Sequence, residues 1–95
     1  MYETEKQKEI VGRIYELNDQ LDILQAKFYK YEVEFNSITP ESVDNDLHEY
    51  TNRLVELSGK MERCYNLMKL THNRMVELLN EYQNISKGGN ALCQN

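Results

Sequence analysis

The chain has 95 residues, 40% of them apolar and 28% charged, which fits one soluble domain and is too apolar for a disordered segment. Four Gly and one Pro are too few for the turns of a many-stranded sandwich or barrel, and they leave little loop in which to build an active site. Eleven Lys and Arg against sixteen Asp and Glu give a formal charge of -5, unlike the basic stripe of a nucleic-acid binder and unfavourable for an anionic membrane surface.

The segment Met1-Tyr2-Glu3-Thr4-Glu5-Lys6 is charged and has no apolar run, so no secretory signal peptide is expected. Apolar stretches elsewhere are pairs and triplets, far short of the ~18–20 residues that span a bilayer. No direct membrane insertion is expected.

The first predicted element is a helix from about Glu3 to Phe35. Ile10, Ile14, Leu17, Leu21, Leu24, Phe28, Tyr31 and Phe35 follow one another in steps of 4 and 3 without a break. An apolar period of ~3.5 is the sequence form of a left-handed coiled-coil seam.

Residues 36–39 are the predicted turn. Thr39 suits an N-cap, Pro40 suits the first helical position, and Glu41 faces the positive end of a helix dipole. Ile38 and Val43 are spaced for a hydrophobic staple across that helix start.

The second helix is predicted from Pro40 to about Lys87. Its stripe is Val43, Leu47, Tyr50, Leu54, Leu57, Met61, Cys64, Met68, Thr71, Met75, Leu78, Tyr82 and Ile85, again in steps of 4 and 3. Gly88-Gly89 is the expected stop and 90–95 a flexible tail, so residues 1–89 form the domain.

A connection this short makes antiparallel neighbours, so the expected fold class is all-α, a two-helix hairpin that completes a helical bundle with a partner chain. Folding about Ile38 would set Leu21 near Leu57 and Ile14 near Cys64, with about two turns of helix 2 left over past Leu78.

Apolar residues also occur off the seam: Val11, Tyr15, Ile23, Tyr29 and Val33 on helix 1, and Val55, Tyr65, Leu67, Leu70, Val76 and Leu79 on helix 2. A helix apolar on more than one face is buried against more than one neighbour, and a hairpin offers one. Tyr65, Leu67, Leu70, Val76, Leu79 and Tyr82 are therefore the candidate partner-binding residues, and the expected partners are other helical proteins, in a homo- or hetero-oligomer.

Chemistry-bearing motifs are sparse. Asp44 and His48 stand four apart, as two metal ligands on one helix might, yet no third ligand is near in sequence, and a surface hydrogen bond is the expectation. Gly88-Gly89 lacks the following helix of a phosphate loop. No Ser/His/Asp or Cys/His spacing suggests a nucleophile. No catalytic residue, cofactor, metal or small-molecule substrate is expected. Of seven tyrosines, Tyr31, Tyr50 and Tyr82 lie on the seam, and the basic residues near the others alternate with acids, so packing rather than nucleic-acid stacking is expected. Cys64 lies in the seam and Cys93 in the tail, which makes no disulfide framework and fits a reducing, cytoplasmic compartment.

The stretch Tyr50 to Leu78, YTNRLVELSGKMERCYNLMKLTHNRMVEL, resembles the second helix of the snapin family. Tyr50, Leu54, Asn66 and Arg74 sit at matching places, and Glu5 through Ile14 to Leu17 looks like the family's first-helix pattern. The chain departs from the family's usual N-terminal extension and basic C-terminal end. The resemblance implies a non-catalytic subunit of a rod-like helical complex shared by lysosome-related organelle biogenesis and lysosome positioning. Such a subunit would be peripheral on endosome and lysosome membranes and open to SNARE contacts.

In outline the hairpin is also similar to the type VII secretion family, whose members are secreted as dimers. On that reading the chain is a secreted hairpin, or the partner or chaperone of a secreted toxin. The family's Trp-X-Gly turn is here Ser37-Ile38-Thr39, and Ser86 stands where its export signal places an acid after Tyr82. Kinetochore-type coiled-coil subunits share the same periodicity.

Overall fold

The computed structural model describes residues 3–94, with side chains through residue 85. The chain is an all-helical hairpin: α1 (Glu5–Ser37), a 3-10 turn (Pro40–Val43) and α2 (Leu47–Gln94). It divides into two compact units, Asp22–Lys69 and the pair of segments Met1–Leu21 with Leu70–Asn95.

In the unit Asp22–Lys69, α1 ends where Ser37 Oγ donates to the Glu34 carbonyl at 2.8 Å. Thr39 is the expected N-cap, but of the 3-10 turn. Its Oγ1 accepts the Ser42 N–H at 3.2 Å, and Ser42 Oγ accepts the Thr39 N–H at 3.1 Å. Ile38 is half-buried and Val43 buried, as the staple positions require.

The second helix begins later than its sequence pattern implied. The 3-10 turn is closed by Asp44 and Asn45, both left-handed at φ 56 and 61. The Asn45 N–H donates to the Pro40 carbonyl at 2.7 Å. Asp and Asn tolerate this region better than other non-glycine residues because their short polar side chains bond locally. Asp46 then caps α2: its Oδ1 accepts the N–H of His48 at 3.1 Å and of Glu49 at 3.2 Å. The start at Pro40 is thus corrected to Leu47. The Asp44–His48 pair is corrected too, because Asp44 lies outside α2.

The same turn corrects the register. Cys64 Sγ donates to the Leu24 carbonyl at 3.4 Å, and Lys60 Nζ lies 5.8 Å from the centre of the Tyr31 ring. Cys64 therefore meets Leu24, not Ile14. The chain pivots at Asp44-Asn45 rather than at Ile38, which slides one helix along the other by ten residues.

In the other unit, α1 starts with a capping box that the sequence pattern carries as Thr4-Glu5-Lys6-Gln7. Thr4 Oγ1 accepts the Gln7 N–H at 3.0 Å, and Gln7 Oε1 accepts the Thr4 N–H at 2.9 Å. Tyr82 donates to Glu3 at 3.2 Å, and Lys6 pairs with Glu81 at 3.9 Å. The start of α1 reaches beyond Leu78, so the two surplus turns of helix 2 are not left over there.

Every member of the first stripe is buried or half-buried, and so is every member of the second except Leu47, which is 67% exposed. Leu47 is the first residue after the Asp46 cap and precedes the point where the seam closes. The buried apolar core is small: Ile10, Val43, Leu57, Cys64 and Leu78. The bounds of α2 run past Gly88-Gly89, which corrects the stop expected there, since glycine permits a left-handed end without forcing one. Side chains from residue 86 onward lie outside the described residues, as does residue 95 of the expected tail at 90–95, within which the bounds of α2 reach Gln94.

Three substitutions test these assignments by thermal unfolding. Gly12 is helical and open, with nothing within 4 Å of an added Cβ, so Gly12→Ala raises stability by up to ~1 kcal/mol. Asn45→Gly keeps or raises stability, whereas Asn45→Val costs about 1–3 kcal/mol by forcing a β-branched residue to positive φ.

Candidate functional site

Among the described residues no group of three His, Cys, Asp or Glu could hold a metal ion, and no helix is long and apolar enough to cross a membrane. The candidate site is therefore the surface of the helices. Five of the six expected partner-binding residues are exposed, Tyr65, Leu67, Leu70, Val76 and Leu79, at 41–64%. Tyr82 is half-buried, with its hydroxyl on Glu3.

Within the unit Asp22–Lys69, Tyr65 and Leu67 lie on different sides of the seam. A helix turns about 100° per residue, so Tyr65, one step past Cys64, lies to one side of the seam. Leu67, three steps past it, lies to the other. In the other unit Leu79, one step past Leu78, and Val76, three before Leu79, lie to one side of that unit's seam. Leu70, one step before Thr71, lies to the other. Counting apolar residues showed how many fall off the seam but not on which side.

The two flanks of the unit Asp22–Lys69 differ in chemistry. On the Leu67 flank, one groove is lined by Lys27, Lys60, Arg63 and Leu67 beside Leu24, Tyr31 and Cys64. A second groove on that flank carries Glu34, Glu49, Arg53, Glu56 and Lys60. Arg53 pairs with Glu49 at 2.9 Å and Lys60 with Glu56 at 3.4 Å. On the Tyr65 flank the groove is lined by Phe35, Leu54, Val55, Ser58, Gly59 and Glu62, only the last of them charged.

The unit Met1–Leu21 with Leu70–Asn95 has a charged groove as well, lined by Lys6, Glu9, Arg13, Arg74 and Glu81 around Ile10 and Leu78. Arg74 pairs with Glu77 at 3.0 Å. Exposed pairs of this kind contribute little, typically ~0–1 kcal/mol, and mark a solvated flank more than a stabilising one.

The surroundings of Tyr82 bear on its titration. Its pKa is raised above the ordinary 10.0 by desolvation first, then by the hydrogen bond to Glu3 and the Glu3 charge. A raised folded pKa means that the contact contributes below pH ~10 and is lost as pH climbs through the shifted value. Difference titration of the native chain against Tyr82→Phe, followed by tyrosinate absorbance, is expected to show Tyr82 ionising above the ordinary 10.0. Ionisation at the ordinary value would remove the Glu3–Tyr82 bond from solution.

In comparisons with protein-family models, with curated proteins and with solved structures, nothing matches the chain.

Proposed function

We propose that this chain is a non-catalytic interaction subunit that completes a helical bundle or coiled coil with other helical chains. The observation that carries this reading is the imbalance between core and surface. Among the described residues five apolar side chains are buried, while eleven large apolar ones are exposed, from Tyr15 to Leu79. Singly exposed apolar residues are ordinary. Here they recur along both helices, in a chain whose seam is mostly half-buried. A second helical layer would cover what one hairpin leaves to water.

The finer assignment rests on the resemblance of Tyr50 to Leu78 to the snapin second helix. It makes the chain a cytoplasmic subunit carried to endosome and lysosome surfaces by its complex, recognising helices rather than lipid, nucleic acid or a small molecule. The net charge of -5 agrees with recruitment through protein partners rather than through anionic headgroups.

Light scattering and circular dichroism over a roughly hundredfold concentration range test the general reading, because assembly makes Tm depend on concentration. Association, or a gain of helicity and Tm when a helical partner is added, is the expected result. A cooperatively unfolding monomer whose Tm is independent of concentration and of any helical partner would overturn it.

A further inference from the structure

One groove of the unit Asp22–Lys69 carries charge of a single sign. Lys27 of α1 and Lys60 and Arg63 of α2 line it together with Leu24, Tyr31 and Leu67, and among the described residues no carboxylate does. The chain around it has sixteen acids to eleven Lys and Arg. Two helices packed along a seam ordinarily set opposite charges beside it, where they pair from helix to helix. Here both helices bring cations to the same side. Among the described residues Lys27 and Arg63 take part in no ion pair, and Lys60 reaches Glu56 of its own helix at 3.4 Å.

This arrangement does nothing for the hairpin itself. Like charges brought to one groove repel, and a Glu in place of Lys27 would answer Lys60 and Arg63 from the opposing helix. The adjoining groove shows the ordinary solution, with Arg53 on Glu49 at 2.9 Å. In a self-sufficient fold the local choices agree with one another, so a local conflict marks a place that serves something outside the fold. An anion arriving from another molecule removes this conflict.

The groove is apolar as well as basic. Leu67 is 52% exposed, and Leu24 and Tyr31 are half-buried beneath the cations. Lys60, Arg63 and Leu67 stand at i, i+3 and i+7, which is one stripe of a helix face. Apolar surface bordered by cations complements an apolar stripe bordered by acids, and a channel between two helices has the shape that receives a third. A membrane or a nucleic acid presents an extended anionic surface instead. Glu34, Glu49 and Glu56 line the next groove on the same flank and would repel one. A helix can place its acids opposite the cations alone.

We propose that the groove at Lys27, Lys60 and Arg63 seats an acidic amphipathic helix of a partner protein, its carboxylates on the three cations and its apolar stripe on Leu67. The proposal rests on the bundle-subunit reading above and gives the chemistry of the partner.

Binding of two designed peptides to the full chain, followed by fluorescence anisotropy, tests this. Both are amphipathic helices with one Leu stripe, bordered by Glu in the first and by Lys in the second. The Glu peptide is expected to bind at least ~10-fold more tightly, with the preference shrinking as salt rises. Lys27→Glu with Arg63→Glu should invert the preference. Tight binding of the Lys peptide then also shows that this variant folds. Lys69→Glu, the same charge change on α2 outside the groove, should keep the native preference. Lys27→Glu alone should keep or raise Tm while weakening the Glu peptide, because it sets opposite charges beside the seam.

Equal binding of the two peptides, no binding of the Glu peptide up to ~1 mM, or a preference that ignores the double variant would overturn the proposal. A lower Tm for Lys27→Glu would show that Lys27 supports the hairpin and would remove the conflict on which the argument stands. Phosphatidylserine vesicles or a DNA duplex bound more tightly than the Glu peptide, and released by the same double variant, would reject the helix in favour of an anionic surface. A chain without the peptide preference whose Tm still rises with concentration or with a helical partner loses the acidic helix and keeps the subunit reading. That reading fails separately, through a monomer of concentration-independent stability that no helical partner changes.

Discussion

The left-handed pair Asp44-Asn45 is the constraint on which the pairing of the helices within the unit Asp22–Lys69 depends. Two consecutive residues at positive φ reverse the chain in the space between the 3-10 turn and the Asp46 cap. A helical seam has no intrinsic register beyond its period, so sliding by a heptad costs little in apolar matching alone. The turn removes that freedom. It brings Cys64 to Leu24 and Lys60 to Tyr31. These contacts cross the seam between residues far apart in sequence, and none would form with the pivot at Ile38.

A two-helix layer encloses little. Each seam residue has one opposing helix and open water on either side, which is why most of the stripe is half-buried while Ile10, Leu57, Cys64 and Leu78 are buried. The energetics then turn on what lies beside the seam. Where opposite charges pair, water completes the solvation of the ion pairs and nothing further is needed. Where the flank is neutral, apolar area stays wet at a cost of roughly 25 cal/mol per Å² relative to burial. The difference between the flanks is a difference in how finished each surface is.

Much of this was legible in the sequence. The stripes from Ile10 to Phe35 and from Tyr50 to Ile85 predicted helices and burial alike, because a sustained period leaves the chain one way to hide its apolar face. Thr39-Pro40 was legible as a helix start, although the helix that it starts is a single 3-10 turn. The second start was also written in the chain, as Asp46 followed by Glu49 at capping-box spacing, but the unbroken step from Val43 to Leu47 masked it. Left-handed residues were not legible, since Asp and Asn also occupy ordinary turns and caps. The sides on which Tyr65 and Leu67 lie come from helix geometry rather than from a count of apolar residues, since residues two apart on a helix do not face the same way.

Cys64 carries a further consequence. Its thiol is buried in the seam and its Sγ reaches the Leu24 carbonyl on the opposing helix. A thiol reagent can approach only when the two helices part around it, so the rate of modification is the free-thiol rate multiplied by the fraction of time the unit stands open. The residue works as a clock placed inside the hairpin. Any ligand, partner or crowding condition that holds the helices together slows that clock in proportion, once modification at Cys64 is read apart from that at the second thiol, Cys93.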